Sequence, residues 1–332
     1  MDNSLDVLAI GNALVDVLAH ADDAFLETRG ISKAAMSLID ERTAEQLYAQ
    51  MGPAIEISGG SAANTAAGVA SLGGKAAFVG KVADDQLGQI FGHDIRSVGV
   101  EFRPRPSQSG APTGRCLVIV TPDAQRTLQT HLGCAIEVGP EDVRADEVKR
   151  ARITYFEGYL WDSPTARQAY LKAAKIAHDS GRRTALTLSD KFCVERHRAE
   201  FLDLVHGHID VLFANELEIV ALYRTRTFEE AMEAVRGKCH IAVLTRSEKG
   251  AVIVSEHERI AVPAEKAKVV DTTGAGDLFA AGFLYGLTGG RPLAECGRIG
   301  ALCAAEIISH IGARPEVKLA DLVEQTAREG RP

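Results

Sequence analysis

The sequence predicts an α/β protein built around a doubly wound, mostly parallel sheet. Beyond Gly139, short apolar runs of strand length alternate with longer segments of helical periodicity, and this βαβα order requires a parallel sheet with crossover helices. Residues 5–11 form an almost wholly apolar run, which is typical of a strand buried on both faces. The chain has 332 residues, of which 46% are hydrophobic. That is enough for one large α/β domain with a smaller unit.

Composition argues against several classes of partner. The formal net charge is −8 and no basic run occurs, so we expect neither a nucleic acid nor an anionic membrane as the partner. The first residues are acidic where a signal peptide needs basic ones, and no apolar run reaches the length of a membrane span. The six cysteines are scattered without a CxxC pair. We therefore expect a reduced, cytoplasmic protein.

The first half of the chain contains a predicted insertion. Residues 113–121 and 126–132 have the pattern of two strands joined by a four-residue turn. A hairpin inserted in an α/β chain is a good candidate for a lid, which would keep water away from an activated phosphate. We therefore predict one domain over 1–332, with a discontinuous small lid formed by about 13–36 and 101–132.

The remaining elements follow from the same periodicities. Asp84 and Asp85 begin a helix, and we interpret them as caps. The predicted strands span 5–11, 76–82, 153–157, 184–188, 210–213 and 241–245, and a hairpin is predicted at 250–262. A strand followed by a helix is predicted at 37–51 and again at 55–74. Further helices are predicted at 84–98, at 164–178, from about 193 onward, and at 292–310.

Residues 269–287 predict a strand end, a glycine-rich turn and a helix. Gly274, Ala275 and Gly276 lie at the turn, where glycine lets backbone amides approach a ligand closely. The first amides of a helix have no intrahelical partner, and the helix dipole adds positive potential, so this turn predicts an anion site. Asp277 follows at once. It is either a helix cap or a base that takes a proton from an attacking hydroxyl.

Polar residues follow several other predicted strands, where ligands gather in open α/β sheets. Asn12 and Asp16 come after the first strand, and a carboxylate such as Asp16 suits a diol, although a loop residue that caps its own turn has the same pattern. Gly60 allows close approach of a small ligand, and Asn64 offers both a donor and an acceptor. The alternative is a closely packed helix with a polar cap.

Asn215 and Glu218 lie three residues apart on one helix face after another strand. The pair would hold the water shell of Mg²⁺, which takes few protein ligands together with phosphate oxygens. The alternative is a capped helix with an outward glutamate. Thr245 and Ser247 belong to a polar loop that would lie against a nucleotide.

The sequence has no GxxxxGK[ST], which excludes a P-loop enzyme. It also lacks an early GxGxxG followed by an acidic residue, so a dinucleotide-binding fold is poorly supported. Phosphoryl transfer to an alcohol needs an anion hole, a base, a metal and a cover that excludes water. The sequence offers a candidate for each of these parts.

Two motifs carry a family resemblance. GGSAANTAAGVASLGG at 59–74 and DTTGAGDLFAAGF at 271–283 resemble the two signatures of the ribokinase (PfkB) family of carbohydrate and nucleoside kinases. The resemblance covers nearly the whole chain. IGNALVDV at 10–17, TGRCLVIVTPDAQRT at 113–127 and EGYLWD at 157–162 look like the adenosine-kinase branch of that family.

The resemblance implies an ATP-dependent phosphotransferase. By its pattern, Asp277 would be the base that deprotonates the acceptor 5′-hydroxyl, and Arg126 would be a lid arginine that reaches the transferred phosphoryl group. The anion hole for the γ-phosphate would be supplied by Gly274, Ala275 and Gly276.

The resemblance also assigns the substrate side of the site. Asp16, Gly60 and Asn64 would hold ribose hydroxyls, with Asn12 nearby. Adenine recognition would depend on apolar and aromatic contacts around the lid and around Tyr159, Leu160 or Trp161.

The nucleotide and metal sites come from the same resemblance. Asn215 and Glu218 match the family's NxxE motif, which organises Mg²⁺ and phosphate, and Thr245 and Ser247 would line the ATP site together with Gly276. Position 247 is serine where many members have glycine. Many members also use K⁺, and its ligands would be Asp271 and Thr273.

Several alternatives stay open at the level of sequence. The acceptor could be adenosine, inosine, guanosine, cytidine, or a sugar such as ribose or fructose. A non-catalytic sensor that kept the fold, or a Rossmann dehydrogenase, would be a different class of protein. Monomer and homodimer are both compatible with the sequence.

Overall fold

A computed structural model of the chain describes residues 4–123 and 125–328. Ala124, in the predicted turn of the hairpin, lies outside the described residues. In chain order the strands are β1 (Leu5–Ile10), β2 (Leu14–His20), β3 (Met36–Leu38), β4 (Ala54–Gly59), β5 (Ala76–Val79), β6 (Glu101–Phe102), β7 (Gly114–Val120), β8 (Arg126–His131), β9 (Ala151–Glu157), β10 (Arg183–Thr187), β11 (Val211–Asn215), β12 (Ile241–Thr245), β13 (Ala251–Ser255) and β14 (Arg259–Val262).

Helices connect most of these strands. They are α1 (Asp23–Glu27), α2 (Glu41–Tyr48), α3 (Ser61–Ser71), α4 (Gln86–Ser97), α5 (Ala145–Arg150), α6 (Pro164–Asp179), α7 (Lys191–Arg196), α8 (Arg198–Gly207), α9 (Glu216–Tyr223), α10 (Phe228–Val235), α11 (Ala275–Thr288), α12 (Leu293–Ile307) and α13 (Leu319–Arg328), with short 3₁₀ turns at Gly133–Glu137, Gly158–Asp162 and Ser247–Lys249.

The main sheet confirms the predicted fold class. Its strand order is β14-β13-β12-β11-β10-β9-β1-β5-β6. The strands from β12 to β6 pair in parallel, and only β13 and β14 pair antiparallel. The carboxyl ends of the parallel strands therefore meet at one edge, where loops collect polar side chains.

Alternate residues of each buried strand serve two separate cores. In β1, Val7 and Ala9 pack into a core with α3, α11 and α12, while Leu8 and Ile10 pack into the core on the opposite face with α6 and α8. This follows from the period of two along a strand. It also explains why the run at 5–11 is apolar except for Asp6, rather than alternating.

A second sheet has the strand order β3-β8-β7-β2-β4. The hairpin β7–β8 pairs antiparallel, as the sequence predicts. The sheet also takes in β4, which lies outside the ranges predicted for the lid, because β4 pairs along the whole length of β2. Glu101–Phe102, inside the predicted lid, pairs instead with β5 of the main sheet. The description of this sheet as a lid stays a prediction.

Two local predictions have different outcomes. Asp85 caps α4, since its Oδ1 accepts a hydrogen bond from the Gly88 amide at 2.7 Å. The strand end at 269–270 is wrong, because these residues pair with no strand. The Val270 amide donates instead to the carbonyl of Ile308 after α12, at 2.8 Å.

We predict that Gly282→Ala destabilises the fold. A Cβ built at Gly282 would lie 2.7 Å from the Ile299 carbonyl oxygen and 2.8 Å from the Gly300 Cα of α12. Because these are backbone atoms, one helix must move, and we expect a loss of about 1–3 kcal/mol in the free energy of unfolding. Chemical denaturation measures this loss. Gly207→Ala is the control, since a Cβ at Gly207 meets nothing within 4 Å. Equal stabilities of the two variants would contradict the prediction.

Candidate active site

One cleft of about 630 Å³ lies between the carboxyl edge of the main sheet and the second sheet. Most of the residues singled out by sequence line it. They are Asn12, Asp16, Gly60, Asn64, Tyr159, Asn215, Glu218, Thr245, Thr273, Gly274, Ala275, Gly276 and Asp277. Arg126, Ser247 and Asp271 do not belong to this lining.

The glycine-rich turn forms the floor of the cleft at the start of α11. Gly274 is the N-cap with φ 77°, a left-handed conformation that favours glycine. The first helical hydrogen bond runs from the Leu278 amide to the Gly274 carbonyl at 2.9 Å, so the amides of Gly276 and Asp277 precede the intrahelical bonds. The Ala275 amide, by contrast, already donates to the Thr272 carbonyl at 3.2 Å.

Asp277 projects from this turn and is held by two side chains of α3. Its Oδ1 accepts from the Ser61 hydroxyl at 2.6 Å, and its Oδ2 accepts from Asn64 Nδ2 at 2.9 Å. It does not cap α11, which has Gly274 in that position. Burial raises the pKa of Asp277, against the opposing effect of these two hydrogen bonds. A carboxylate with a raised pKa is a stronger base.

Close packing of α3 on α11 brings these groups together. A Cβ at Gly68 of α3 would lie 2.6 Å from the Ala281 Cβ and 2.7 Å from the Leu278 Cδ1 of α11. The small residues of α3 therefore allow close contact with α11.

The acceptor side of the cleft contains unsatisfied oxygen atoms. Asn12 Oδ1 and Asn64 Oδ1 are buried without a hydrogen-bond partner among the described residues. Asp16 faces the same space, and desolvation raises its pKa to about 6, despite the opposing charges of Arg314 and Arg126. These oxygens can accept hydrogen bonds from the hydroxyl groups of a ligand.

Two polar residues of the site escaped the sequence analysis. Glu157 was assigned only to the end of a strand and to the motif at 157–162, yet it is fully buried and accepts hydrogen bonds from Asn12. Arg314 follows the predicted helix at 292–310, where the sequence gave it no role. Its guanidinium donates to the carbonyls of Ser58 and Ala63 at 2.7–3.0 Å. A charged residue at the end of a mostly apolar strand was the available signal for Glu157, and Arg314 gave no such signal.

Asn215 and Glu218 form a reciprocal capping box at the start of α9. The Glu218 amide donates to Asn215 Oδ1 at 2.9 Å, and the Asn215 amide donates to Glu218 Oε2 at 2.9 Å. The glutamate is not outward, because it is only 4% exposed and lines the cleft. Burial raises its pKa to about 7. A carboxylate that lacks a cation in such surroundings fits a hydrated Mg²⁺.

Arg126 forms a buried ion pair with Asp271, with 2.8 Å between Nη1 and Oδ2. Asp271 Oδ1 also accepts from the Thr273 amide and hydroxyl, and Oδ2 accepts from the Gly312 amide. Both carboxylate oxygens are thus engaged and the charge is neutralised by a guanidinium. These residues do not fit a K⁺ site. Within 4–123 and 125–328, no group of three or more His, Cys, Asp or Glu side chains could hold a metal ion.

The nucleotide loop differs from the prediction at one residue. Thr245 ends β12 and lines the cleft, while Ser247 stands outside the lining with φ 51°. A left-handed serine costs on the order of 1 kcal/mol, which gives a physical reason for the glycine that many family members have there.

Apolar side chains form the other wall of the cleft. Tyr159 lines the cleft from the main sheet, where its hydroxyl donates to the Ser189 carbonyl at 3.3 Å. Three apolar side chains of the lining are largely exposed, and sequence patterns gave no signal for them. They are Met36 (52%), Leu38 (61%) and Phe192 (70%).

The fold and the cleft define a kinase of ribokinase-like architecture. Residues 40–319 match the pfkB family carbohydrate kinases. The chain belongs to this family, and it is accordingly a phosphotransferase with an alcohol group as acceptor. No helix in the described part of the chain is both long and apolar enough to cross a membrane.

Solved structures and curated proteins show similarity over most of the chain. An adenosine kinase from Sinorhizobium meliloti is 55% identical with a TM-score of 0.89, and the match covers 97% of this chain and 99% of that one. A probable sugar kinase from Rhizobium etli CFN 42 is 53% identical with a TM-score of 0.91, over 98% and 99% of the two chains. Fructokinase-1 from Oryza sativa subsp. japonica is 27% identical, over 81% of this chain and 89% of the fructokinase.

We predict that Arg314→Lys destabilises the protein although the charge is kept. A lysine has one ammonium and cannot reach the carbonyls of both Ser58 and Ala63, so we expect a loss of about 1–3 kcal/mol in the free energy of unfolding. Arg328→Lys is the matched control, because that side chain is 81% exposed. Denaturation of both variants tests this, and equal losses would refute a special role for Arg314.

Proposed function

We propose that this protein transfers the γ-phosphate of ATP to the 5′-hydroxyl of a nucleoside, and that adenosine is converted to AMP. The observation that carries the proposal is the placement of Asp277 beside the first-turn amides of α11, held by Ser61 and Asn64. A base and an anion hole thus stand next to each other in one cleft.

The chemistry at this point is a deprotonation coupled to phosphoryl transfer. Asp277 takes the proton of the acceptor hydroxyl while the hydroxyl oxygen attacks the γ-phosphorus. The bond between the γ-phosphorus and the oxygen of the leaving ADP breaks. The amides of Gly274 and Gly276, together with the dipole of α11, stabilise the negative charge on the transferred group. Ala275 supports the same turn, and its amide would join them by releasing the Thr272 carbonyl.

The acceptor half of the cleft fits a nucleoside. Asp16, Asn12 and Asn64 present oxygens to ribose hydroxyls, and Gly60 leaves space for them. The exposed apolar side chains of Met36 and Phe192 would cover a base, with Tyr159 nearby. The similarity to an adenosine kinase supports adenosine, whereas the similarity to a probable sugar kinase supports a sugar as the second candidate.

The nucleotide half of the cleft lies at the ends of β11 and β12. Asn215 and Glu218 would hold Mg²⁺ through water, and Thr245 and Ser247 would border ATP. Bound Mg²⁺ would neutralise charge on the phosphates. The second sheet would act as the lid, with Arg126 at the start of β8 reaching the phosphoryl group through Nε and Nη2, which have no hydrogen-bond partner among the described residues, while Nη1 stays paired with Asp271.

The proposed reaction has cellular implications. Conversion of a preformed nucleoside to its monophosphate is purine salvage, and we propose that it takes place in the cytoplasm. We propose a monomer or a homodimer as the active form.

An assay of ADP release with a panel of acceptors tests the proposal. With ATP and Mg²⁺ we expect turnover of adenosine in preference to inosine, guanosine, cytidine, ribose and fructose. Because Arg126 neutralises Asp271, we expect the rate to change less than about twofold when K⁺ is replaced by a larger organic cation at constant ionic strength. Preferential turnover of a sugar would reject the nucleoside acceptor, and strict dependence on K⁺ would reject the cation assignment to Arg126.

We predict that Asp277→Asn lowers kcat by about 10²–10⁴-fold through the loss of the base. The binding of ATP should change little, as measured by calorimetry. Asp321→Asn is the matched control, since Asp321 is an exposed aspartate in the first turn of α13. An unchanged rate for Asp277→Asn would remove Asp277 from the mechanism.

A further inference from the structure

Glu157 at the end of β9 is a fully buried carboxylate with no ion-pair partner in the described part of the chain. It accepts three hydrogen bonds from N–H groups. The amide and Nδ2 of Asn12 donate to Oε1 at 2.8 and 2.6 Å, and the Ala62 amide donates to Oε2 at 2.9 Å. The carboxylate therefore joins the end of β1 to the start of α3, at the floor of the cleft.

These contacts fix the direction of the Asn12 side chain. Since Nδ2 donates to Glu157, Oδ1 is the free end of the amide, and it is buried without a partner among the described residues. Asn12 lines the cleft. The protein thus presents a hydrogen-bond acceptor at this point, and a ligand hydroxyl is the kind of group that satisfies it.

We propose that Glu157 is a positioning residue that turns Oδ1 of the Asn12 amide toward the substrate. It thereby selects an acceptor substrate with a hydroxyl group at that point. The inference rests on the proposed function, because it assigns this hydroxyl to the ribose of the nucleoside. Glu157 acts through Asn12 and does not contact the reacting atoms.

Only an ionised carboxylate at position 157 accepts all three hydrogen bonds from Asn12 and Ala62. A glutamine at position 157 has one acceptor oxygen and one NH₂ group. If the glutamine oxygen faces Asn12, its NH₂ group faces the Ala62 amide, which is also a donor. If the glutamine oxygen faces Ala62, its NH₂ group faces the Asn12 amide, which is a donor as well. In the second orientation the NH₂ group favours a flipped Asn12, which would present Nδ2 to the substrate. Protonation of Glu157 introduces the same conflict between donors.

Burial raises the pKa of Glu157 to about 7, against the opposing effect of the three hydrogen bonds, and the charge of Asp277 adds to the rise. The ionised form therefore prevails above pH 7 and is lost as the pH falls through this value. Other titratable groups that interact with Glu157 keep their protons between pH 6 and 8, because burial raises the pKa of each of them. They are Tyr155, Tyr159, Tyr170 and Cys193.

The test is the ratio of kcat/KM for adenosine to kcat/KM for an analogue that lacks one ribose hydroxyl. We would measure kcat/KM for adenosine and for its 2′-deoxy and 3′-deoxy analogues at pH 8. A site that binds a substrate hydroxyl rejects the analogue without it, by about 10²-fold or more. In Glu157→Gln we expect the ratio for one analogue to fall by at least about 10-fold, with little change in the KM for ATP. A defect in the base or in the nucleotide site affects all three acceptors alike and cancels.

Tyr170→Phe is the matched control for a structural effect. The Tyr170 hydroxyl donates to the Glu157 carbonyl at 2.7 Å and to the Ile10 carbonyl at 3.3 Å. Its removal disturbs the same strand ends without changing the carboxylate, so we expect the ratio to stay as in the wild type. If Glu157→Gln lowers all three rates equally and leaves the ratio unchanged, Glu157 is merely structural and the proposal is overturned.

The wild-type protein provides a second test that does not depend on the folding of a variant. The ratio should fall as the pH is lowered from 8 through about 7, ahead of any effect of Asp16, whose pKa is about 6. A ratio that stays constant from pH 8 to pH 6, together with an unchanged ratio in Glu157→Gln, would overturn the proposal. If the protein phosphorylates a sugar and no nucleoside, the proposed acceptor is wrong, and the Glu157 inference is tested on that sugar and its deoxy analogue.

Discussion

The close contact of α3 with α11 is the constraint on which the site depends. Gly68 lets the two helices approach until a Cβ at that position would overlap Ala281. Because the helices pack at this distance, their N-terminal turns meet, and Ser61 and Asn64 reach Asp277. Without this contact, Asp277 would be an ordinary solvated acid in the first turn of a helix. The same contact places the unsatisfied oxygen atoms of the cleft next to the glycine-rich turn that precedes α11.

The electrostatics of the cleft follow from burial that hydrogen bonds and nearby charges offset only in part. Asp16, Glu157, Glu218 and Asp277 all have a raised pKa, and desolvation is the main cause for each. A protein that buries so many carboxylates loses stability unless donors or cations satisfy them. Substrate hydroxyls and a hydrated metal ion are groups of this kind. The cleft is therefore suited to hydrogen-bond donors along its carboxylates, and we propose that it binds phosphate at the turn that opens α11.

Much of the fold and part of the site could be predicted from local sequence. The apolar runs gave the parallel strands, since a strand buried on both faces needs a continuous hydrophobic segment. Strand ends then located Asn12, Asn215 and Thr245 in one cleft. The prediction failed at 269–270, where two β-branched residues suggested a strand but the Val270 amide donates to the Ile308 carbonyl that follows α12. The bounds of the second sheet also differed, because the pairing of β4 with β2 depends on partners distant in the chain.

The sequence by itself determined the doubly wound sheet, the glycine turn before α11 and the family of the protein, because each of these depends on residue type over a short stretch. The tertiary structure alone decided how Glu157 directs Asn12, how Arg314 anchors α3, and that Arg126 neutralises Asp271. These contacts join residues separated by more than one hundred positions. Their partners are chosen by packing and by the need to satisfy buried polar atoms, and no local pattern encodes that choice.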